Sequence, residues 1–190
     1  MSDEESSFIW EHFNREAFKG VEAVISAGDL KLEYLEFVAT MLPVPVFYVP
    51  GNHDKSFTLH PPGGCTSVDG KVLTYNGLRI AGLGGCKSGN PDKVYELSEY
   101  QMAKRVKRLL RQSKRNIDIF VSHAPVRGWG DGNDLYHEGF TCFIDVLKNV
   151  NPMLHIFGHQ HLSYGINREN PIKCNNTLLY NACVYKIIEI

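Results

Sequence analysis

The sequence lacks any apolar run approaching the roughly 20 residues that span a bilayer as a helix, so no membrane role is expected. It also lacks a charge excess: 20 Lys and Arg stand against 21 Asp and Glu, with no long block of either sign. An electrostatic grip on nucleic acid or an anionic surface is therefore not expected. Cys-x-x-Cys pairs are missing, and Cys65, Cys86, Cys142, Cys174 and Cys183 are an odd, widely spaced set that reads as ordinary thiols in a reducing cytoplasm. The opening residues, Met1 to Ser7, are acidic and polar and do not resemble a secretory leader. Repeats and low-complexity tracts are absent, and the Gly/Pro-dense stretches 61–64, 82–85 and 128–132 are too short to be linkers. What is present is 190 residues, 43% hydrophobic, which suits a single domain over 1–190 with a substantial core.

Apolar spacing predicts amphipathic helices over 6–18, 31–41, 98–115 and 140–150. Between them, short β-branched or aromatic runs at 21–26, 44–49, 117–121 and 153–157 read as strands, and the first two enclose a βαβ unit. Runs at 65–68, 71–75 and 78–82 read as further strands, with Asp69-Gly70 and Asn76-Gly77 as tight hairpin turns. Segments 164–167, 177–180 and 184–190 read as closing β structure. The basic face of the 98–115 helix is read as a solvated face, since no aromatic platform for bases is interleaved.

Chemistry gathers where these strands end. The first runs into Gly28-Asp29, the second into Gly51-Asn52-His53-Asp54, the third into Ser122-His123-Ala124-Pro125 and the fourth into Gly158-His159-Gln160-His161. Functional sites of layered α/β folds lie beyond the carboxyl ends of the strands, so these loops are expected to converge. Carboxylate, amide and imidazole donors without cysteine suit Mn, Fe, Co, Ni or Zn, and one carboxylate can bridge two ions about 3.5–4 Å apart, as in phosphoryl displacement. His12, His60 and His155, each alone, read as ordinary surface or hydrogen-bonded histidines.

With these motifs in order, the sequence resembles the calcineurin-like metallophosphoesterases, whose pattern is D-x-H, G-D, G-N-H-D/E, a His before a small residue, and G-H-x-H. The resemblance implies an α/β fold, a β-sandwich flanked by helices. It implies that Asp29 bridges two divalent ions, that Asn52, His123 and His159 complete one site, and that His161 belongs to the other. His53 would be the acid that meets phosphate or the leaving oxygen, and a metal-held water or hydroxide would attack phosphorus.

The first motif departs from the pattern. The N-terminal strand that precedes it in the family is missing, and Asp3-Glu4-Glu5 stands where D-x-H is expected. Asp3 and Glu5 are taken as the ligand positions, with Glu replacing His; the alternative is that these acids only favour the N-terminus of the following helix. A carboxylate at Glu5 would favour harder ions, making Mn the leading choice. So short a terminus is expected to fray. The Gly-rich loop 127–137 would overhang the site, with Arg127, Asp131 and His137 as candidate substrate contacts or simply as surface residues. The expected function is a phosphatase or phosphodiesterase acting on a small phosphorylated molecule, without nucleic-acid or membrane partners and with an open oligomeric state. The alternative is a weakly active or non-catalytic scaffold on the same fold.

Overall fold

A computed structural model describes residues 1–88, 93–134, 136–161 and 171–190. The βαβ unit is present: β1 (Val24–Ser26), α2 (Leu32–Met41) and β2 (Val46–Tyr48) follow α1 (Ser7–Trp10), and β1 pairs parallel with β2. β3 (Cys65–Ser67) adds in parallel on the other side of β2, giving a sheet ordered β1-β2-β3. β4 (Val72–Tyr75) and β5 (Leu78–Leu83) form the hairpin expected at Asn76-Gly77, both with positive φ. Asp69-Gly70 is not a second hairpin, because β3 and β4 belong to different sheets and the turn carries the chain across.

Further along lie β6 (Cys86–Lys87) and β7 (Glu96–Leu97), which pair with each other, then α3 (Glu99–Gln112), β8 (Ile119–Ser122), α4 (Phe143–Asn149) and β9 (Leu154–Phe157). β10 (Ile172–Cys174) and β11 (Thr177–Asn181) complete a mixed sheet ordered β10-β11-β9-β8-β5-β4. The closing β structure expected at 177–180 is β11, whereas 184–190 forms no strand and 164–167 lies outside the described residues.

Strand alternation explains the layering. In β8, Ile119 and Val121 pack with Phe47, Val49, Leu154 and Ile156 between the two main sheets. Phe120, pointing the other way, packs with Met102, Val106 and Leu109 of α3 and Phe143 and Val146 of α4. On the opposite side, Val24, Val46 and Tyr48 cover the inner face of α2 through Tyr34, Leu35 and Val38. Helix, sheet, sheet and helix therefore stack in that order. Strands covered on both faces read as unbroken apolar runs, which is what made them legible.

α3 starts at a capping box in which Ser98 Oγ accepts from Gln101 N and Gln101 Oε1 accepts from Ser98 N. The helix expected over 6–18 is instead broken into α1 and a 3-10 turn at Arg15–Phe18. Asn14 causes the break: it is extended and its side chain accepts from Glu16 N at 3.1 Å, starting a new turn rather than continuing the old one.

Residues 1–3 are not frayed. Met1 N donates to Ile25 O at 2.9 Å, Ala27 N donates to Met1 O at 2.9 Å, and Ser2 makes a parallel bridge with Cys183. These few residues lie between β1 and the segment after β11, and Ser2 is fully buried.

Candidate metal centre

β1 and β2 are parallel neighbours, as are β8 and β9, so the loops after them emerge at carboxyl ends. The loop after β1 is fastened to the loop after β2 by one side chain. Asp54 Oδ2 accepts from Asp29 N and from Gly51 N, both at 2.8 Å, and Asp29 Oδ1 in return accepts from His53 N at 2.8 Å. The glycines are required by this closeness: a Cβ on Gly28 would meet Gly51 Cα at 2.7 Å and His123 Nδ1 at 2.8 Å, and a Cβ on Gly51 would strike the Asp29 carboxylate. Asp3, Asp29 and His159 all hold positive φ, of 64°, 57° and 67°. Non-glycine residues in that region cost energy, and such positions concentrate at functional sites.

His123 lies at the middle and is fully buried. Its Nδ1 is 2.7 Å from Ala27 O, a pure acceptor, so Nδ1 keeps its proton and Nε2 is the nitrogen that would turn a lone pair to a cation. His159 is oriented by the same logic: Nε2 donates to Tyr136 O at 2.6 Å, leaving the Nδ1 lone pair 3.1 Å from His123 Nε2. Asn52 Oδ1 lies 2.9 Å and Asp29 Oδ2 3.2 Å from the same His123 nitrogen. Two imidazole nitrogens, an amide oxygen and a carboxylate oxygen thus point together, and the donors of Asp29, His123 and His159 all fall within 4.8 Å of one another. A divalent cation satisfies such a cluster of acceptors.

The electrostatics agree with the geometry. Burial opposes charge on His123, yet Asp29 and then Asp3 raise its pKa to about 9, so the centre concentrates a demand for positive charge. Burial also works against ionising Asp29, but His123 and the His53 N–H hold it at about 2. Burial, followed by the charge of His123, lowers His159 to about 3, which keeps its ring neutral as a ligand must be.

The structure places the remaining sequence candidates as follows. Asp3 is at the centre: its N–H donates to Gly28 O, its Oδ1 accepts from His159 N at 2.8 Å, and its Oδ2 is buried with no partner among the described residues. An orphaned buried carboxylate oxygen beside these imidazoles fits a cation ligand. Glu5 is not brought to the centre. With Asp3 at φ 64° and Glu4 N bonded to Ser2 O at 2.7 Å, the chain turns sharply, so that Glu5 reaches Lys31 at 3.1 Å while Glu4 Oε1 meets His161 Nδ1 at 3.0 Å. The acid that meets His161 is therefore Glu4. His53 is exposed on the loop that carries Asn52.

In the loop that follows β8, Asp131 shapes the backbone by accepting from Gly128 N and Gly139 N, and Arg127 is shared between Asp131 at 3.2 Å and Glu138 at 2.9 Å. The His137 ring lies 5.5 Å from the His159 ring and its Nδ1 bonds Asp134. Sequence reasoning missed Asp54, Glu4 and Tyr136. Asp54 carried a readable signal, an acid directly after Gly-Asn-His that is buried against two N–H groups, but Tyr136 acts through its carbonyl and leaves no mark in the sequence.

Residues 6–163 match the profile of the family described as calcineurin-like phosphoesterase. The chain belongs to the calcineurin-like phosphoesterase family. Family membership supports metal-dependent phosphoester hydrolysis at that level. Solved structures share the metallophosphoesterase-like fold. One crystal structure superposes with a TM-score of 0.66 at 13% identity, covering 96% of this chain and 88% of its own. TT1561 of Thermus thermophilus superposes with a TM-score of 0.60 at 18% identity, covering 88% of this chain and 79% of its own. No curated protein matches the sequence. Among the described residues, no helix is long and apolar enough to cross a membrane.

Proposed function

We propose that this calcineurin-like phosphoesterase hydrolyses a small phosphate ester with two divalent ions, Mn foremost and Fe, Co, Ni or Zn as alternatives. The observation that carries the reading is the convergence of Asp29, Asn52, His123 and His159 donors at the strand ends. Asp29, Asn52, His123 and His159 would hold one ion, while Asp3 and His161 offer donors towards the other. Bound ions would supply Lewis acidity to the phosphoryl oxygens and lower the pKa of a water.

The protein's own groups divide the rest of the work. The carbonyls of Ala27 and Tyr136 fix the tautomers of His123 and His159, so neither ring must reorient when substrate arrives. His53, exposed on the Asn52 loop, donates its imidazolium proton to the ester oxygen as the phosphorus–oxygen bond breaks, so that the leaving group departs as a neutral alcohol or phenol. The loop of Arg127, Asp131 and His137 borders the substrate. Arg127 is already shared by Asp131 and Glu138, which favours a substrate of modest negative charge.

The test is metal stoichiometry together with Mn-dependent hydrolysis of an aryl phosphodiester and an aryl phosphomonoester, using Asp29→Ala as control. Two ions per chain with Asp29-dependent turnover is the expected outcome, and the diester-to-monoester ratio reads the substrate class. Bound metal without turnover on either ester would instead favour the scaffold reading.

A further inference from the structure

A second group of donors lies at the turn formed by residues 2–4. Glu4 Oε1, a His161 ring nitrogen and Cys183 Sγ all fall within 4.8 Å of one another. Three stretches remote in sequence bring them there. The bridge between Ser2 and Cys183, reinforced by Val184 N donating to Ser2 O at 3.0 Å, sets the cysteine beside the turn. Asn181 Oδ1 accepts from Cys183 N at 2.9 Å and fixes the cysteine backbone. His161 arrives from the loop after β9, two residues beyond His159.

Several features mark this as a built site. Val184, a β-branched residue, holds φ 64°, and Asp3 holds the same angle on the facing segment, so both stretches of chain adopt costly conformations next to the group. Cys183 is 3% exposed, which shields a thiolate from bulk water. Asp3 Oδ2, on the same turn, is the buried carboxylate oxygen without a partner among the described residues. A thiol, an imidazole and a carboxylate at this separation are the donor types of a three-residue zinc site that keeps a further position open.

We infer that Glu4, His161 and Cys183 ligate the second cation, with Cys183 bound as the thiolate. Binding would release the Sγ proton to solvent, so the affinity of this position would rise with pH. The two positions then differ in kind. The centre at Asp29, Asn52, His123 and His159 offers only oxygen and nitrogen donors and accepts Mn, whereas a thiolate selects a softer ion such as Zn, Co or Fe. The inference rests on the two-metal reading above and replaces Glu5, tied to Lys31, with Glu4 and Cys183.

Cobalt(II) titration of the full chain tests it, since a thiolate ligand gives a near-ultraviolet sulfur-to-cobalt charge-transfer band that oxygen and nitrogen donors do not. The expected result is two cobalt ions per chain with that band present. Cys183→Ser should abolish the band and loosen one ion by more than about 100-fold, beyond the range usual for outer-shell changes. Glu4→Gln should loosen the same ion, and Asn52→Ala should loosen the other while leaving the band. The unsubstituted protein alone can overturn the proposal: two bound ions and aryl phosphate hydrolysis without the band would exclude the thiolate and leave the phosphoesterase reading standing. A band that survives Cys183→Ser would also overturn it. Failure to bind cobalt at either position would overturn both readings.

Discussion

His123 and His159 face each other through Nε2 and Nδ1 across 3.1 Å, while the far nitrogen of each ring donates to a backbone carbonyl. With its pKa raised to about 9, His123 also carries a proton on Nε2, which the His159 Nδ1 lone pair accepts, and a cation held between the rings would take the place of that proton. The orienting groups are main-chain atoms of the loops after β1 and β8. Side-chain substitution there cannot remove them, so the residues around them are the levers for experiment.

His53 should separate binding from chemistry. Its main-chain N–H fastens Asp29, but its side chain is exposed and stands outside the cluster of donors. His53→Ala should therefore keep its metal content by elemental analysis while kcat on an aryl phosphate falls by about 10²–10⁴-fold, the range for a general acid. Parallel loss of metal would mean that the ring is a ligand.

Asp54 should prove structural in spite of its place in the motif. Burial raises its carboxyl pKa to about 6 against the lowering effect of the Gly51 N–H. Asp54→Ala would strand the N–H groups of Asp29 and Gly51, at a cost of about 2–4 kcal/mol in urea unfolding. Asp54→Asn, which keeps an oxygen, should recover part of that loss. Equal stability of Asp54→Ala and the unsubstituted protein would show that the loops are held some other way.

Glu5→Ala should be nearly silent. Its partner Lys31 is 75% exposed, so the pair is worth less than about 1 kcal/mol and metal content should not change. A drop in metal stoichiometry would restore Glu5 to the first motif.

His155 should give the fold part of its acid sensitivity. It is fully buried, its Nε2–H donates to Ser122 Oγ at 2.7 Å, and burial lowers its pKa from 6.5 to about 3. Between those values the unfolded chain binds a proton that the native ring refuses. The contribution of His155 is therefore complete above its unfolded pKa and shrinks as the pH falls, by about 2 kcal/mol between pH 7 and pH 5. His155→Gln should lose correspondingly less stability over that interval, measured by urea unfolding at both values. Identical pH dependence in the two proteins would place the acid sensitivity elsewhere.

The strand ends were legible because β1, β2, β8 and β9 are covered on both faces and stop at glycine or polar residues, so apolar runs located Asp29, Asn52, His123 and His159 directly. Asn76-Gly77 was legible for a similar local reason. Asp69-Gly70 was not, since the same turn chemistry serves a crossing between sheets. The exchange of Glu5 for Glu4 was also hidden: it depends on Asp3 adopting a left-handed conformation, which tertiary contact with Gly28 and His159 imposes and spacing does not encode.

The bridge between Ser2 and Cys183 has a consequence for the order of assembly. Asp3 meets His159 across 156 positions of chain and Glu4 meets His161 across 157. Contacts so distant in sequence close among the last, because the entropy of drawing the ends together precedes any gain from them. A ribosome-bound chain could form α2 between β1 and β2 early. It would have no complete cation pocket until the segment after β11, which carries Cys183, had emerged, so the cation pocket and the fold would be completed together.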